Sequence, residues 1–289
     1  MTEENKVHKP CVALVAPGEM GAGLGRRLVE NGVRVLTSLA GRSEASTTRA
    51  RNAGMEPVAD EALGEADLFL SVVPPGEALP LARHFSTIFA AAKRKPVYLD
   101  CNAVNPETVR SIAEVVTDAG AVFIDASIIG GPPKAGAPGP TIYLSGPSLD
   151  PARVLTRYGL NLREIEGGYG AASALKMAYG GITKGITAIA AAMILGAVRA
   201  GVDQALFSEL AESQPHLLDR FDKGVTGMFP KAYRWVAEME EVSGFVGGEK
   251  NGAAIHRGAA ELYQHLAEDF PDGPDIAALR RFFSTPRKA

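Results

Sequence analysis

The sequence predicts a doubly wound α/β domain over residues 1–166, followed by an all-α domain over 167–289. Two observations carry the first assignment. Apolar runs of strand length alternate with stretches of helical spacing from Cys11 to Ser145, the pattern of parallel strands joined by right-handed crossovers. The first of these junctions, between Cys11 and Glu30, passes through a glycine-rich turn that reads Ala16-Pro-Gly18-Glu-Met-Gly21. The second assignment rests on a change of character near Gly167, beyond which strand signals stop and helical periodicity continues, punctuated by Gly and Pro. A length of 289 residues leaves room for two such domains.

Taken in order, the run after Cys11 is short and apolar enough for a buried strand, and Met20, Leu24 and Leu28 give the next segment one apolar helical face. A buried strand feeding a helix through glycines presents free backbone N–H groups and the positive end of a helix dipole at one point, which suits a phosphate. Gly18 lets a pyrophosphate approach the backbone and Gly21 lets the helix pack on the strand, so Gly18, Glu19, Met20 and Gly21 form the cradle of a Rossmann-type dinucleotide fingerprint. Ala16 stands where that fingerprint has its first glycine, and fits if the turn needs no positive φ. The alternative is a tight strand-to-helix turn in another kind of α/β domain. Gly32 ends the helix, and Val33–Ser38 is the second strand. At the tip of such a strand an acid selects the 2′-hydroxyl of NAD and an arginine the 2′-phosphate of NADP. No acid precedes Glu44 there, while Arg42 and Ser43 offer a guanidinium and a hydroxyl, so NADP is expected over NAD. The plainer roles for the same residues are a solvated loop arginine and a helix cap.

Ala66–Val73 is a near-continuous apolar run, as expected of a strand covered on both faces; Pro74 and Pro75 stop it, and a helix follows over 76–92. Pro96–Asp100 is the next strand and ends in Cys101-Asn102; the helix from Pro106 to Gly120 opens with proline in its first turn. Ala121–Ala126 is a further strand, Ile129–Pro140 a loop rich in Gly and Pro, and Thr141–Ser145 another strand. Gly18, Val73-Pro74-Pro75, Asn102 and Gly130 all follow strand ends, and ligands of such sheets lie beyond the carboxyl ends of the strands, so these residues are expected to line one crevice. In the second domain Ala171–Ala200 reads as one long helix containing Gly180, Gly181, Gly185 and Gly196. Each glycine costs about 1 kcal/mol against alanine in an exposed helix, which implies close packing against other helices or a ligand. Shorter helices are expected over Asp203–Glu212, Pro230–Val242, Lys250–Ala267 and Pro274–Phe283.

Composition narrows the function. A hydrophobic fraction of 46%, a charged fraction of 22% and a net charge of −3 give no electrostatic footprint for nucleic acid or an anionic membrane. Met1–Lys9 is polar, has no signal-peptide core and reads as a frayed tail. The most apolar stretch, Ile186–Val198, reads as a buried helix, too short and too rich in small residues to span a bilayer. Cys11 and Cys101 fall in strand regions and read as small core hydrophobes, in keeping with a cytoplasmic setting. His8, His84, His216, His256 and His265 form no ligand spacing, so no metal is expected. Trp235 and Phe245 read as core or interface anchors; Lys223, Lys231, Arg234, His256 and Arg257 read as a solvated charged face, with an anion site as the alternative.

The succession of the glycine turn, Val72-Val-Pro-Pro75, Asp100-Cys-Asn-Ala103, Asp125-Ala-Ser-Ile-Ile-Gly-Gly131 and Gly170-x5-Lys176 resembles the β-hydroxyacid dehydrogenase superfamily, which includes 3-hydroxyisobutyrate and 6-phosphogluconate dehydrogenases. The resemblance covers most of the chain, and the tail is similar to a little-characterised C-terminal domain sometimes attached to this nucleotide-binding half. It implies an NAD(P)-dependent dehydrogenase or reductase acting on a CH–OH group of a small molecule, a 2- or 3-hydroxy acid derivative. It also implies a homodimer, with the long helix passed between subunits. The family's acid/base lysine corresponds to Lys176. Such a lysine takes or gives the hydroxyl proton as hydride moves, and burial brings an amine's pKa toward the working pH. Lys184, two turns on, would lower it further by like-charge repulsion. Lys176 is the single charge in the apolar stretch around Ala171–Ala178, which argues against a solvated helix lysine.

Three departures bear on the substrate. The family's asparagine four residues after the lysine is Gly180, preceded by Tyr179; the serine of its substrate loop is Ile129, leaving the N–H groups of Gly130 and Gly131; and the serine after the fifth strand is Asn102. The pocket would then take a bulkier or less polar substrate. Tyr179 reads either as a second proton donor or as a half-buried core aromatic. The run Gly139–Pro147 also resembles imine reductases, which generally lack a lysine at this helix position, so Lys176 favours oxygen chemistry. A third reading is a non-catalytic dinucleotide-binding protein.

Overall fold

The structure, a computed structural model, describes residues 9–134, 136–247 and 250–286, and of Lys250 the backbone only. The polar tail expected at the N-terminus lies, up to His8, outside the described residues. The chain forms two compact units, one ending at Lys176 and the other beginning at Met177.

The first unit alternates strands and helices: β1 (Cys11–Val15), α1 (Glu19–Glu30), β2 (Arg34–Thr37), α2 (Glu44–Asn52), β3 (Glu56–Pro57), α3 (Asp60–Leu63), β4 (Leu68–Ser71), α4 (Pro75–Ala91), β5 (Val97–Asp100), α5 (Pro106–Asp118), β6 (Val122–Ile129), β7 (Thr141–Ser145), α6 (Asp150–Arg153) and β8 (Asn161–Glu164). The sheet order is β3-β2-β1-β4-β5-β6-β7-β8, so the winding reverses between β1 and β4. The strands run parallel, with one exception: β7 is antiparallel to β6, with Asp125 opposite Ser145 and Ile129 opposite Thr141. The expected all-parallel sheet is thus corrected at this edge. Among the described residues of the connection over 130–140 there is no crossover helix, and without one the chain returns as a hairpin.

Alternate strand residues feed two cores, one on each face. Val12, Leu14, Leu24 and Leu28 belong to one; Phe69, Phe85, Phe89, Tyr98 and Phe123 belong to the other. Tyr98 stacks between Phe69 and Phe123 at centroid distances of 5.2 and 5.9 Å. Two strands went unanticipated. β3 is two exposed residues and β8 four edge residues, neither with an apolar alternation to announce it.

The long helix α7 (Ala171–Arg199) crosses the division between units. The change of character in the sequence comes at Gly167, yet the first turn of α7 groups with the sheet, because Gly170, Ala172 and Ser173 hydrogen-bond to Asp125 and Ser145. The second unit continues with α8 (Asp203–Ser213), α9 (Pro215–Met228), α10 (Ala232–Phe245), α11 (Lys250–Asp269) and α12 (Pro274–Phe283), of which α9 was not expected. Within this unit the glycines of α7 do two different things. Gly181 lies where a Cβ would come within 2.9 Å of Val242 and 3.1 Å of the His256 ring, and Gly185 also faces that ring, whereas Gly196 faces open space. Trp235 meets the edge of the buried Tyr263 ring at 5.2 Å, and the Tyr263 hydroxyl donates to the Lys184 carbonyl at 2.6 Å.

At 29 residues, with a mean hydropathy of 1.7 over its most apolar window, α7 is long and apolar enough by length and composition to cross a membrane. The stretch Ile186–Val198, read alone as too short to span a bilayer, lies inside this helix, and 44% of the helix's most apolar window is buried within the protein.

Candidate active site

The turn after β1 is built for close approach. Gly18 is the N-cap of α1 and supplies no side chain to cap it, so the first-turn N–H groups are left to another acceptor. A Cβ on Gly18 would meet nothing within 4 Å, whereas one on Gly21 would run into the Ala16 carbonyl oxygen and Leu14. Gly21 is thus required by the packing of helix on strand, and Gly18 leaves the helix end uncovered. Ala16 can stand in place of glycine here because its φ is not positive, as is true of every described residue other than glycine. Glu19 lies exposed in the first turn, and Met20 packs against the core below it. These groups fit a dinucleotide pyrophosphate on their backbone donors.

At the tip of β2 the Ser43 hydroxyl caps α2, accepting from the Ser46 N–H at 3.3 Å, while Arg42 is exposed beside it. The sequence reading missed Arg49. Its Nη2 donates to the Ser46 hydroxyl at 3.0 Å and its Nε to the Pro17 carbonyl at 3.2 Å, which places a second guanidinium against the glycine turn. The signal was present: Ser43, Ser46 and Arg49 are spaced three apart and share one helix face.

Asn102 has a different job from the one expected. Its side chain is consumed inside the sheet edge: Oδ1 accepts from the Val73 N–H at 2.7 Å and Nδ2 donates to the Ser71 hydroxyl at 2.8 Å. It thereby pins the turn Val73-Pro74-Pro75, in which Val73 is buried and Pro74 exposed. What Asn102 turns outward is its carbonyl, which accepts from Lys176 Nζ at 3.4 Å. Lys176 is half-buried.

The helix start that carries Lys176 is anchored by groups to which the sequence assigned no role. Asp125 accepts from the Gly170 N–H (3.0 Å), the Ser173 N–H (3.1 Å), the Ser173 hydroxyl (2.7 Å) and the Ser145 hydroxyl (3.0 Å). Ser145 in turn accepts from the Ala172 N–H at 3.0 Å. A buried carboxylate at a helix N-terminus satisfies orphan donors and the dipole together. Burial pushes the Asp125 carboxyl up, against the pull of its hydrogen bonds. Asp100, opposite Asp125 on β5, is 1% exposed. Burial first, and then the Asp125 charge, push its carboxyl up to about 7, against the Asn102 N–H and the Lys176 ammonium.

Of the remaining expected site residues, Ile129 ends β6, and Gly130 (φ 127°) turns the chain beside Pro140, where a Cβ would come within 3.1 Å. Gly131 is exposed and faces open space. Tyr179 is 53% exposed and so is no core aromatic. Near Gly180 the closest outside atom is Lys184 Nζ, at 3.8 Å from a notional Cβ. Lys184 itself is paired with Glu238 at 2.6 Å and lies 5.4 Å from the Trp235 ring centre. Its charge is neutralised there, which removes the ground for its acting on Lys176 by repulsion. Lys223, Lys231, Arg234 and Arg257 are exposed, while the half-buried His256 donates from Nδ1 to the Gly252 carbonyl at 3.0 Å. Among the described residues no group of three or more His, Cys, Asp and Glu side chains could hold a metal ion.

Comparison with known proteins agrees with this geometry. Residues 11–156 match the family model of the NAD binding domain of 6-phosphogluconate dehydrogenase, and residues 197–266 that of a domain of unknown function. The 3-hydroxyisobutyrate dehydrogenase of Pseudomonas aeruginosa is 26% identical over 69% of this chain and 68% of its own length. A conserved protein of unknown function, described as structurally similar to 3-hydroxyacid dehydrogenases, is 28% identical with a TM-score of 0.66, covering 89% of this chain and 98% of that one. The 3-hydroxyisobutyrate dehydrogenase of Mycobacterium tuberculosis, solved with L-serine, shares the fold at a TM-score of 0.72 and 19% identity, covering 95% of this chain and 99% of its own. The glycine turn, the reversal of winding beside it and these matches agree, and the chain belongs to the β-hydroxyacid dehydrogenase-like NAD(P)-binding family.

Proposed function

We propose that the protein is a cytoplasmic, NADP(H)-dependent oxidoreductase, a homodimer built on the long helix, that interconverts an alcohol and a ketone in a 2- or 3-hydroxy acid derivative, with Lys176 as general acid/base. The observation that carries this reading is the delivery of one amine to the carboxyl edge of the sheet. Lys176 reaches the Asn102 carbonyl just past β5, from a helix start that Asp125 and Ser145 fasten to β6 and β7. When bound, the nicotinamide supplies or accepts the hydride. The chain's own part is to hold the pyrophosphate at Gly18–Gly21, the ribose phosphate at Arg42, Ser43 and Arg49, and the proton at Lys176 Nζ. In the oxidising direction the neutral amine accepts the substrate hydroxyl proton as the C–H bond gives up hydride; in the reducing direction the ammonium returns it to the carbonyl oxygen. Gly180 and Ile129 contribute no polar side-chain atom, which supports a substrate less dependent on carboxylate contacts, and Gly130 and Gly131 leave two backbone donors.

Turnover of 3-hydroxyisobutyrate, L-serine, apolar hydroxy esters and cyclic imines, each with NADP(H) and NAD(H), tests the reading. The Lys176→Ala variant is expected to lose about a hundredfold or more in kcat on an alcohol while binding NADP+ normally. Alcohol oxidation kept near wild type by Lys176→Ala defeats the acid/base role. Turnover of imines alone favours C=N reduction, and silence across the panel favours a dinucleotide-binding protein without chemistry. Arg42→Ala is expected to raise the KM for NADP+ at least tenfold more than that for NAD+; equal effects overturn the cofactor assignment.

A further inference from the structure

Strand register sets four polar side chains in a row across the sheet: Ser71 opposite Asp100, Asp100 opposite Asp125, and Asp125 opposite Ser145. All four are buried. Three have their partners. Asp125 takes four donors, Ser145 bridges to the Ala172 N–H, and Ser71 accepts from Asn102. Asp100 is the exception. Its Oδ1 accepts from the Asn102 N–H at 3.0 Å, but its Oδ2, wholly buried, has no hydrogen-bond partner.

A buried carboxylate with one oxygen unpaired is costly, and holding the Asn102 N–H does not require it, since a neutral asparagine or serine oxygen would accept the same bond. The acid needs another use, and the peptide of Asn102 shows where it lies. The N–H end of that residue meets Asp100 Oδ1, and its carbonyl end meets Lys176 Nζ, so one residue stands between a buried carboxyl group and a half-buried amine. We propose that Asp100 is a positioning residue for proton transfer: its carboxylate, acting through the dry sheet edge and the Asn102 peptide, sets the basicity of the Lys176 amine. This deepens the acid/base reading of Lys176 and rests on it.

The groups acting on Asp100 allow such a role. On its own strand, Tyr98 is held in its neutral form by burial, and the adjacent Cys101 thiol is likewise pushed up by burial. From β6 the Asp125 carboxylate pushes Asp100 up, and from α7 the Lys176 ammonium pulls it down. On β4 Ser71 lies opposite it in the register, and the Asn102 side chain, like the Asn102 N–H, pulls it down. With its carboxyl raised to about 7 by burial, Asp100 changes charge in the range where an enzyme of this kind works. Ionised, it favours the ammonium and makes the amine a stronger base; protonated, it releases that hold. The charges of Lys176 and Asp100 are in this way coupled.

The test measures the amine directly. With the full chain carrying 13C-dimethylated lysines, and the Lys176 signal assigned by its loss in Lys176→Arg, the Lys176 pKa is expected to fall by about one unit in Asp100→Asn, as removal of a nearby opposite charge requires. An unchanged Lys176 pKa in folded Asp100→Asn overturns the proposal. Should that variant not fold, the reciprocal measurement stands: the 13C carboxyl signal of Asp100 is expected to titrate higher in Lys176→Met than in wild type, and an unchanged titration overturns the coupling. The two failures are distinct. If Lys176→Ala keeps alcohol turnover while the titrations shift, the acid/base reading falls and the pair remains; if Lys176→Ala is inactive and neither titration moves, Asp100 has no part in it.

Discussion

Burial holds the Asp100 carboxyl near 7, well above its ordinary 3.8, and the direction of that shift decides how stability responds to pH. Between those values the folded chain keeps a proton that the unfolded chain has lost, so stability falls as pH rises from about 4 and levels off above about 7. Asp100→Asn removes this dependence and keeps the bond from the Asn102 N–H. The variant is therefore expected to gain on wild type by a few kcal/mol between pH 4 and pH 8, whatever its fixed packing cost. Paired urea titrations at those two pH values read the difference directly, and a constant gap contradicts the raised carboxyl. The same scale shows what a sequence can hide. Lys176 was found from its apolar neighbours and the family pattern, but Asp100 and Asp125 entered only as members of the motifs that carry the resemblance, with no role of their own, and Ser145 only as the end of a strand. Their roles come from register across three strands, which no local spacing encodes. Arg49 was closer to the surface of the text, one face along from Ser43.

At the scale of elements, the two glycines of the first turn separate a packing need from a binding need. Gly21→Ala drives a methyl into the Ala16 carbonyl and Leu14, and is expected to cost roughly 1–3 kcal/mol of stability. Gly18→Ala meets open space at φ −68°, a conformation any residue adopts, so its thermal stability is expected to match wild type while NADP+ affinity falls at least tenfold. Melting curves and calorimetric titration check both, and undiminished NADP+ binding by Gly18→Ala would remove the pyrophosphate from this turn. The anchor of α7 makes a parallel case. Asp125→Ala strands the N–H groups of Gly170 and Ser173, and amide exchange at 173–176 is expected to quicken ahead of the rest of the sheet. Most elements of the first unit were readable because their strands are short apolar runs between turn residues and several of their helices open with a cap or a proline; α5, with Asn105 accepting from two N–H groups before Pro106, has both. The edge strands β3 and β8 were not readable because pairing with a neighbour, rather than burial, makes them strands. In α9 the glycines at 224 and 227 hide a regular apolar face, and Gly224 is there because a Cβ would come within 2.9 Å of Thr187.

For the whole molecule, α7 carries an argument about assembly. Tyr179, Ile182, Ile189 and Met193 are 53%, 63%, 56% and 64% exposed, and their spacing along the helix sets them in one stripe. A contiguous apolar stripe of this kind on a water-facing surface needs a cover, and two covers are physically available to a helix of this length: a second copy of the chain or a lipid bilayer. The proposed homodimer predicts the first. Wild-type protein is expected to sediment as a dimer at micromolar concentration, and Ile189→Glu, which places a charge in the middle of the stripe, is expected to sediment as a monomer with an unchanged fold by circular dichroism. Substituting an exposed side chain costs a well-folded monomer little, so loss of the dimer without loss of helicity isolates the interface from the core. The same samples mixed with phospholipid vesicles separate the alternatives: protein that stays in the supernatant as a dimer supports the paired helices. A wild-type monomer in solution, or one that floats with the vesicles and ceases to do so on Ile189→Glu, assigns the stripe to another partner and removes the subunit-crossing helix from the proposed enzyme.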